Sequence, residues 1–183
     1  MSFSYKFDSA IYGGFTIVEL LVTLAVVAVT TAYAVPGLQT LVANNRQTSV
    51  VNRFVASALL ARSIAITHNV QAIVCPSSNG LTCLDVNDWS YGWIVVRSDV
   101  ATDTPATSSH HSLIHSEMGT NKVVVMANRA LFRYRPMGKR ATNGTVLFCT
   151  LGASAPRAVI VSYNGRPRTS AVLPNGNEIV CPA

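Results

Sequence analysis

Near the end of the chain, Gly165-Arg166-Pro167-Arg168 sets two guanidinium groups two residues apart, with no acidic residue within nine positions on either side. In extended chain, side chains two residues apart point to the same side, separated by about 6–7 Å at strand rise. Guanidinium forks fit phosphate oxygens, so such a pair could engage neighbouring phosphates along one nucleic-acid strand. Pro167 has no backbone N–H to give to a ladder, which confines the segment to a sheet edge or a projecting turn and keeps the arginines accessible. A basic hairpin tip that aids solubility or touches a neighbouring subunit satisfies the same residues, and on this physics alone both readings stand.

No pattern for catalysis accompanies the pair. The chain has no G-x-S-x-G, no G-x-x-x-x-G-K and no H-E-x-x-H, so a nucleophile elbow, a phosphate-cradling loop and a zincin helix are all missing. The reading is of a binding or structural protein, not an enzyme, with no cofactor and no metal. His68, His110, His111 and His115 lack metal-motif spacing relative to the cysteines, and no C-x-x-C pair is present. Trp89, Tyr91 and Trp93 alternate with Ser90 and Gly92. That is the pattern of a strand with one aromatic face, used either for core packing or for stacking on bases.

Charge is sparse but lopsided. Of 183 residues only 12% are charged, and the net charge is +6. Between Ser63 and Thr120 Arg97 stands as the one basic residue against Asp85, Asp88, Asp99, Asp103 and Glu117. From Asn121 onward come Lys122, Arg129, Arg133, Arg135, Lys139, Arg140, Arg157, Arg166 and Arg168, opposed only by Glu178. Such asymmetry suggests an anionic partner for the last third, whether nucleic acid, phospholipid or an acidic neighbouring subunit.

The elements that must carry these residues are legible from periodicity. An apolar run of about 24 residues from Phe15 to Leu38 reaches roughly 36 Å as a helix, enough to cross a bilayer core. Glu19 is its sole charged side chain, and a carboxylate in such a span marks function. Pro36 should kink the helix. Beyond it Leu41, Val51, Phe54, Val55, Ala58, Leu59, Arg62 and Ile66 recur at three- and four-residue intervals among polar residues, the stripe of an amphipathic helix. One helix from Phe15 to about Thr67 is predicted, its first half in membrane or filament core and its second half packed on a globular domain.

Short runs rich in β-branched and aromatic residues follow at 70–75, 89–97, 122–126, 130–135, 145–151, 158–163 and 169–173. They predict an antiparallel sheet laid on the second half of the helix, an α+β fold. Asn143-Gly144, Asn164-Gly165 and Asn175-Gly176 are expected to form type I′ turns, which need positive φ at both central positions. Residues 99–116 read as one long, mobile loop. Cys75, Cys83, Cys149 and Cys181 allow three connectivities. The pairing expected is Cys75–Cys83, closing a short loop, with Cys149–Cys181 tying down the C-terminal tail.

The N-terminus orders these parts. A short polar leader carrying Lys6 precedes Gly13-Gly14, and the apolar span comes after the small-residue junction rather than before it, the reverse of a secretory signal. Gly14-Phe15-Thr16-Ile17-Val18-Glu19-Leu20, with Pro36 further on, resembles the class III signal of type IV pilins and type II secretion pseudopilins. The resemblance implies a type IV pilin-like fold and cleavage by prepilin peptidase between Gly14 and Phe15. It also implies N-methylation of Phe15 and a role for Glu19 in assembly. On this reading 1–14 is the cleaved leader, 15–41 the transmembrane or filament-core helix and 42–183 the soluble pilin domain.

The resemblance extends over nearly the whole mature chain. Cys75 and Cys83 before Trp89, Gly92 and Trp93, then Cys149, the Gly165-Arg166-Pro167-Arg168 turn and Cys181 together look like the FimT/FimU branch of the GspH-type minor pilins. In FimT members a Gly-Arg-x-Arg motif binds DNA, which implies a DNA-binding role for Gly165, Arg166 and Arg168, with Arg133, Arg135, Lys139, Arg140 and Arg157 as outer contacts. The implied partners are double-stranded DNA, other major and minor pilins, prepilin peptidase and the inner membrane before assembly. The implied place is the inner membrane, with a periplasmic domain, and then the extracellular pilus of a Gram-negative bacterium. The implied function is capture of extracellular DNA for natural transformation. A structural minor pilin or secretion pseudopilin that primes filament assembly without binding DNA is the alternative.

Overall fold

The structure, a computed structural model, describes residues 14–98, 111–136 and 140–181. Most of the expected leader, part of the expected 99–116 loop with His110, and Lys139 lie outside the described residues. A single helix, α1 (Ile17–Thr67), is followed by eight strands: β1 (Gln71–Pro76), β2 (Gly92–Ser98), β3 (His111–Met118), β4 (Val124–Ala127), β5 (Phe132–Tyr134), β6 (Gly144–Cys149), β7 (Arg157–Val161) and β8 (Pro167–Ser170). Two compact units divide at Leu38/Gln39.

The first unit is helix alone. Thr16 caps it, its Oγ1 accepting from the Glu19 N–H at 3.2 Å. Thr16-Ile17-Val18-Glu19 is therefore the T-x-x-E signal of a helix start, with the Glu19 carboxylate at the positive end of the helix dipole. The segment is long and apolar enough to cross a membrane. Its hydroxyls suit that medium, because Thr23, Thr30 and Thr31 donate to carbonyls three or four residues back in their own helix. The helix continues through Pro36 without a break in its assignment.

In the second unit α1 lies against two antiparallel four-stranded sheets, ordered β3-β2-β1-β5 and β4-β6-β7-β8, where a single sheet was expected. Phe54 is the hub. It is fully buried and meets Trp89, Trp93 and Phe132 edge-on at centroid distances of 5.6–6.0 Å, with Phe148 tilted at 5.8 Å, arrangements that add to simple area burial. The helix face that packs is Gln47, Val50, Val51, Phe54, Ser57, Ala58, Ala61, Ile64 and Ala65. Leu41, Leu59 and Ile66, expected in that stripe, are exposed. Small residues fill the seam instead, because Trp89 and Trp93 already occupy its volume. Trp93 Nε1 donates to Ser57 Oγ at 3.0 Å and Gln47 Nε2 to the Phe148 carbonyl at 2.8 Å, so the polar groups in the seam are satisfied. The expected aromatic face breaks at Tyr91, which is exposed in the turn before β2.

β1 is buried on both faces. Ala72 and Val74 join the helix-side core, while Ile73 and Cys75 pack with Ile94, Val96 and Cys83 on the far side. The Cys75–Cys83 disulfide closes that second layer, and Cys149–Cys181 anchors the tail to β6. β3 corrects the expected loop. His111 to Met118 pairs along β2 with a bulge at Val95/Val96, and Glu117 ties it to the helix through Arg53 at 3.4 Å while also contacting His115 of its own strand at 3.1 Å.

The turns also differ from expectation. Asn143-Gly144 is no hairpin turn, since β5 and β6 belong to different sheets. Gly144 is needed for room: a Cβ there would lie 2.6 Å from Asn128 Oδ1 and 2.9 Å from Phe132 Cε1.

Candidate functional site

The β7–β8 hairpin carries the arginine pair. Its loop is a type I turn, closed by the Gly165 N–H donating to the Ser162 carbonyl at 2.8 Å. Gly165 alone takes positive φ, +74°, and the Ser162 N–H donates to the Arg166 carbonyl at 3.2 Å. This is a three-residue hairpin with a glycine bulge, not the two-residue turn that Asn-Gly suggested. Asn164 holds it from within, its Oδ1 accepting from the Arg166 N–H at 3.2 Å. Ser162 Oγ contacts the same Asn164 oxygen and donates to the Arg166 carbonyl at 3.0 Å.

β8 is the edge of its sheet, and Pro167 sits opposite Val161. Register decides where the arginines point. Thr169 pairs with Val159 on the helix-side core, so Arg168, opposite Ile160, lies on the other face of the sheet, and Arg166, across from Ser162, shares that face. Both are exposed. Among the described residues neither has an acidic partner.

Other basic side chains gather at the turn end of the domain. Arg62 of α1 donates through Nε to the Asn164 carbonyl at 3.2 Å. Arg140 lies over the Tyr163 ring, 5.8 Å from its centroid, a cation–π geometry. Arg135 donates to the Arg140 carbonyl at 2.9 Å, and the Ala141 N–H to the Tyr163 carbonyl at 2.8 Å. Arg62 and Arg140 therefore touch the turn directly, and Arg135 reaches it through Arg140.

The remaining expected contacts do not join them. Arg133 is buried, 7% exposed within β5, so it is withdrawn from any surface. Arg157 lies in the same set of alternate β7 residues as Val159, lining a cleft with Thr48, Asn52 and Thr169 on the helix side. It faces away from Arg168. Arg62 is the contact the sequence reading missed, because it sits in the helical stripe and reaches a residue 102 positions away. Tyr134 was missed as well: its ring lies beneath Gly165, where a Cβ would come within 3.0 Å of it.

At the N-terminus Phe15 is exposed and Glu19 stands in the first helical turn.

Comparison with known proteins agrees with this architecture. The family model for the type II transport protein GspH matches residues 50–165. Two crystal structures of the type IV minor pilin FimU from Pseudomonas aeruginosa superpose with a TM-score of 0.50 at 17% identity. One alignment covers 67% of this chain and 91% of FimU, the other 69% and 89%. At that identity the likeness concerns the fold. No curated protein sequence matches the chain.

Proposed function

The chain belongs to the family of the type II transport protein GspH and has the minor type IV pilin fold; from that premise we propose that it is a DNA-binding minor pilin. Its β7–β8 turn captures extracellular double-stranded DNA for uptake in natural transformation. The observation that carries this reading is the placement of Arg166 and Arg168 on the β7–β8 hairpin, both exposed and without an acidic partner among the described residues, at the turn that Arg62 and Arg140 contact. Phosphate contacts of this kind position a duplex without reading its bases. Binding is therefore insensitive to sequence, in the range of about 10⁻⁴–10⁻⁶ M typical of non-specific complexes at physiological salt.

Within the same proposal, prepilin peptidase removes residues 1–14, Phe15 becomes the methylated N-terminus, and residues 15–41 hold the protein in the inner membrane until it joins other pilins in the filament. Residues 42–183 form the periplasmic and then extracellular domain. Buried residues of the described core begin at Ala43, in keeping with that boundary. The protein acts by binding, not catalysis.

A second reading keeps the fold and removes the DNA. A secretion pseudopilin or structural minor pilin that primes assembly also uses an apolar helix surface, and Leu59, Leu60 and Ile66 are exposed on α1. Titration of short duplex DNA into the protein, with and without Arg166 and Arg168, separates the two: salt-dependent binding lost in the double variant supports the receptor, and equal binding supports the structural role.

A further inference from the structure

At the end of the domain where α1 enters it, the connection between β6 and β7 presents an apolar tip. The Ala153 N–H donates to the Thr150 carbonyl at 3.1 Å and Gly152 has φ +82°, which makes Leu151 the first corner of a type II turn. The turn is fixed to the helix. The Ser154 N–H and Oγ both donate to Asn44 Oδ1, at 2.9 and 3.1 Å, and Gly152 lies against Ala43. Leu151 is nevertheless 100% exposed, at a position where turns ordinarily carry polar residues or proline.

Leu151 has apolar company. The Cys149–Cys181 disulfide brings Val180, 81% exposed, to the same end of the domain. Leu41 and Val42 are exposed on α1 just before Ala43. The two segments that meet here, 39–48 and 149–157, contain no acidic residue and contribute Arg46 and Arg157, and Arg157 shares a cleft with Thr48 of the helix. Exposed aliphatic side chains flanked by cations, with no carboxylate among them, suit the headgroup and upper acyl region of a bilayer.

The chain itself brings a bilayer within reach. Five residues separate Ala43 from Leu38, where the apolar run ends, so even at full extension the anchor of the turn stays within roughly 18 Å of the end of that run. We infer that Leu151 and Val180 form an interfacial foot, which together with Leu41 and Val42 seats the domain on the lipid surface from which α1 emerges before assembly. The inference rests on the reading of residues 15–41 as membrane-inserted. Arg62, which holds the arginine turn, stands 19 residues beyond Ala43 in α1, about 28 Å along the helix. Foot and arginine turn therefore occupy opposite ends of the domain.

The test uses the full chain in vesicles of phosphatidylethanolamine and phosphatidylglycerol that contain brominated phosphatidylcholine, whose bromines quench an indole they touch. Trp89 and Trp93 are buried in the protein core and give a constant background. Leu151→Trp and, separately, Val180→Trp should each add an indole that is quenched more by bromines high on the acyl chain than by bromines near its end, because interfacial side chains reach only about 5–10 Å into the boundary. Tyr163→Trp places the same ring at the arginine turn and should lose no emission. Adding Leu151→Gln to Val180→Trp should reduce the quenching, whereas an unchanged signal would remove Leu151 from the foot. If one tryptophan variant does not fold, the other carries the test.

Extraction with alkaline carbonate separates the two readings. Protein stripped from the vesicles ends the membrane-span reading and the foot with it. Protein that stays inserted while the Leu151→Trp and Val180→Trp indoles are quenched no more than that of Tyr163→Trp overturns the foot alone.

Discussion

Arg62 Nε donates to the carbonyl of Asn164 at 3.2 Å across 102 residues of sequence. This bond joins the helix directly to the turn that presents Arg166 and Arg168. The turn is thus held from three sides: by Arg62, by the Ala141–Tyr163 backbone bond, and by its own Asn164 and Ser162 side chains. A preorganised turn loses less entropy when it meets a rigid polyanion.

Gly165 is the position where this turn is most sensitive. A side chain there must accept φ +74° and press on Tyr134 at 3.0 Å. Gly165→Ala should lower stability by about 1–3 kcal/mol in urea denaturation and weaken DNA binding through displacement of the flanking arginines. An unchanged urea midpoint would show that the turn tolerates a side chain and is not held as described.

The Cys149–Cys181 disulfide closes a loop of 32 residues containing the whole β7–β8 hairpin. Its removal by Cys149→Ser with Cys181→Ser should cost roughly 3–4 kcal/mol on loop-entropy grounds. DNA affinity, measured well below the melting temperature, should fall less than with the arginine substitutions, because β8 stays paired to β7 and the turn stays bonded to Arg62. Affinity lost as completely as in the arginine variants would mean that the tail, not the hairpin, presents the site.

Tyr134 ties stability to alkaline pH. Its folded-state pKa lies above the unfolded value because burial disfavours the phenolate, with Arg62 opposing. The stability it contributes is fully present below about pH 10 and is lost as pH rises above that, by about 1.4 kcal/mol per pH unit. Chemical denaturation between pH 9 and 11 should show this decline, and Tyr134→Phe should flatten it; equal slopes would contradict the assignment.

The helix and seven of the eight strands were legible because their apolar periods are regular, with boundaries displaced by a few residues. β3 was not, since His111, Ser112, His115 and Ser116 give it no apolar alternation, and its pairing is supplied by β2. The edge position of the arginine turn followed from Pro167 alone. The company it keeps did not: Arg62 and Arg140 reach it through contacts across the fold, and Arg157 leaves it through strand alternation. Asn164-Gly165 announced a turn, but its class depended on the bulge that Gly165 forms opposite Ser162.

Processing gives an independent check on the N-terminal reading. Mass spectrometry of protein extracted from the membrane of a host with active prepilin peptidase should find Phe15 as a methylated N-terminus. Glu19→Ala should spare that cleavage while weakening incorporation into filaments, because it removes the carboxylate that would pair with a neighbour's ammonium. An intact Met1 would end the account of residues 1–14 as a leader.

The salt dependence of DNA binding tests the central claim most directly. Each phosphate contact contributes about 0.9 to the log–log slope on duplex DNA, so replacing Arg166 and Arg168 with Gln should flatten the slope by roughly two units. Affinity should fall while the urea midpoint stays in place, since both side chains are exposed and have no ion-pair partner among the described residues. A double variant that binds duplex DNA with the parent's affinity and the parent's slope would contradict the account.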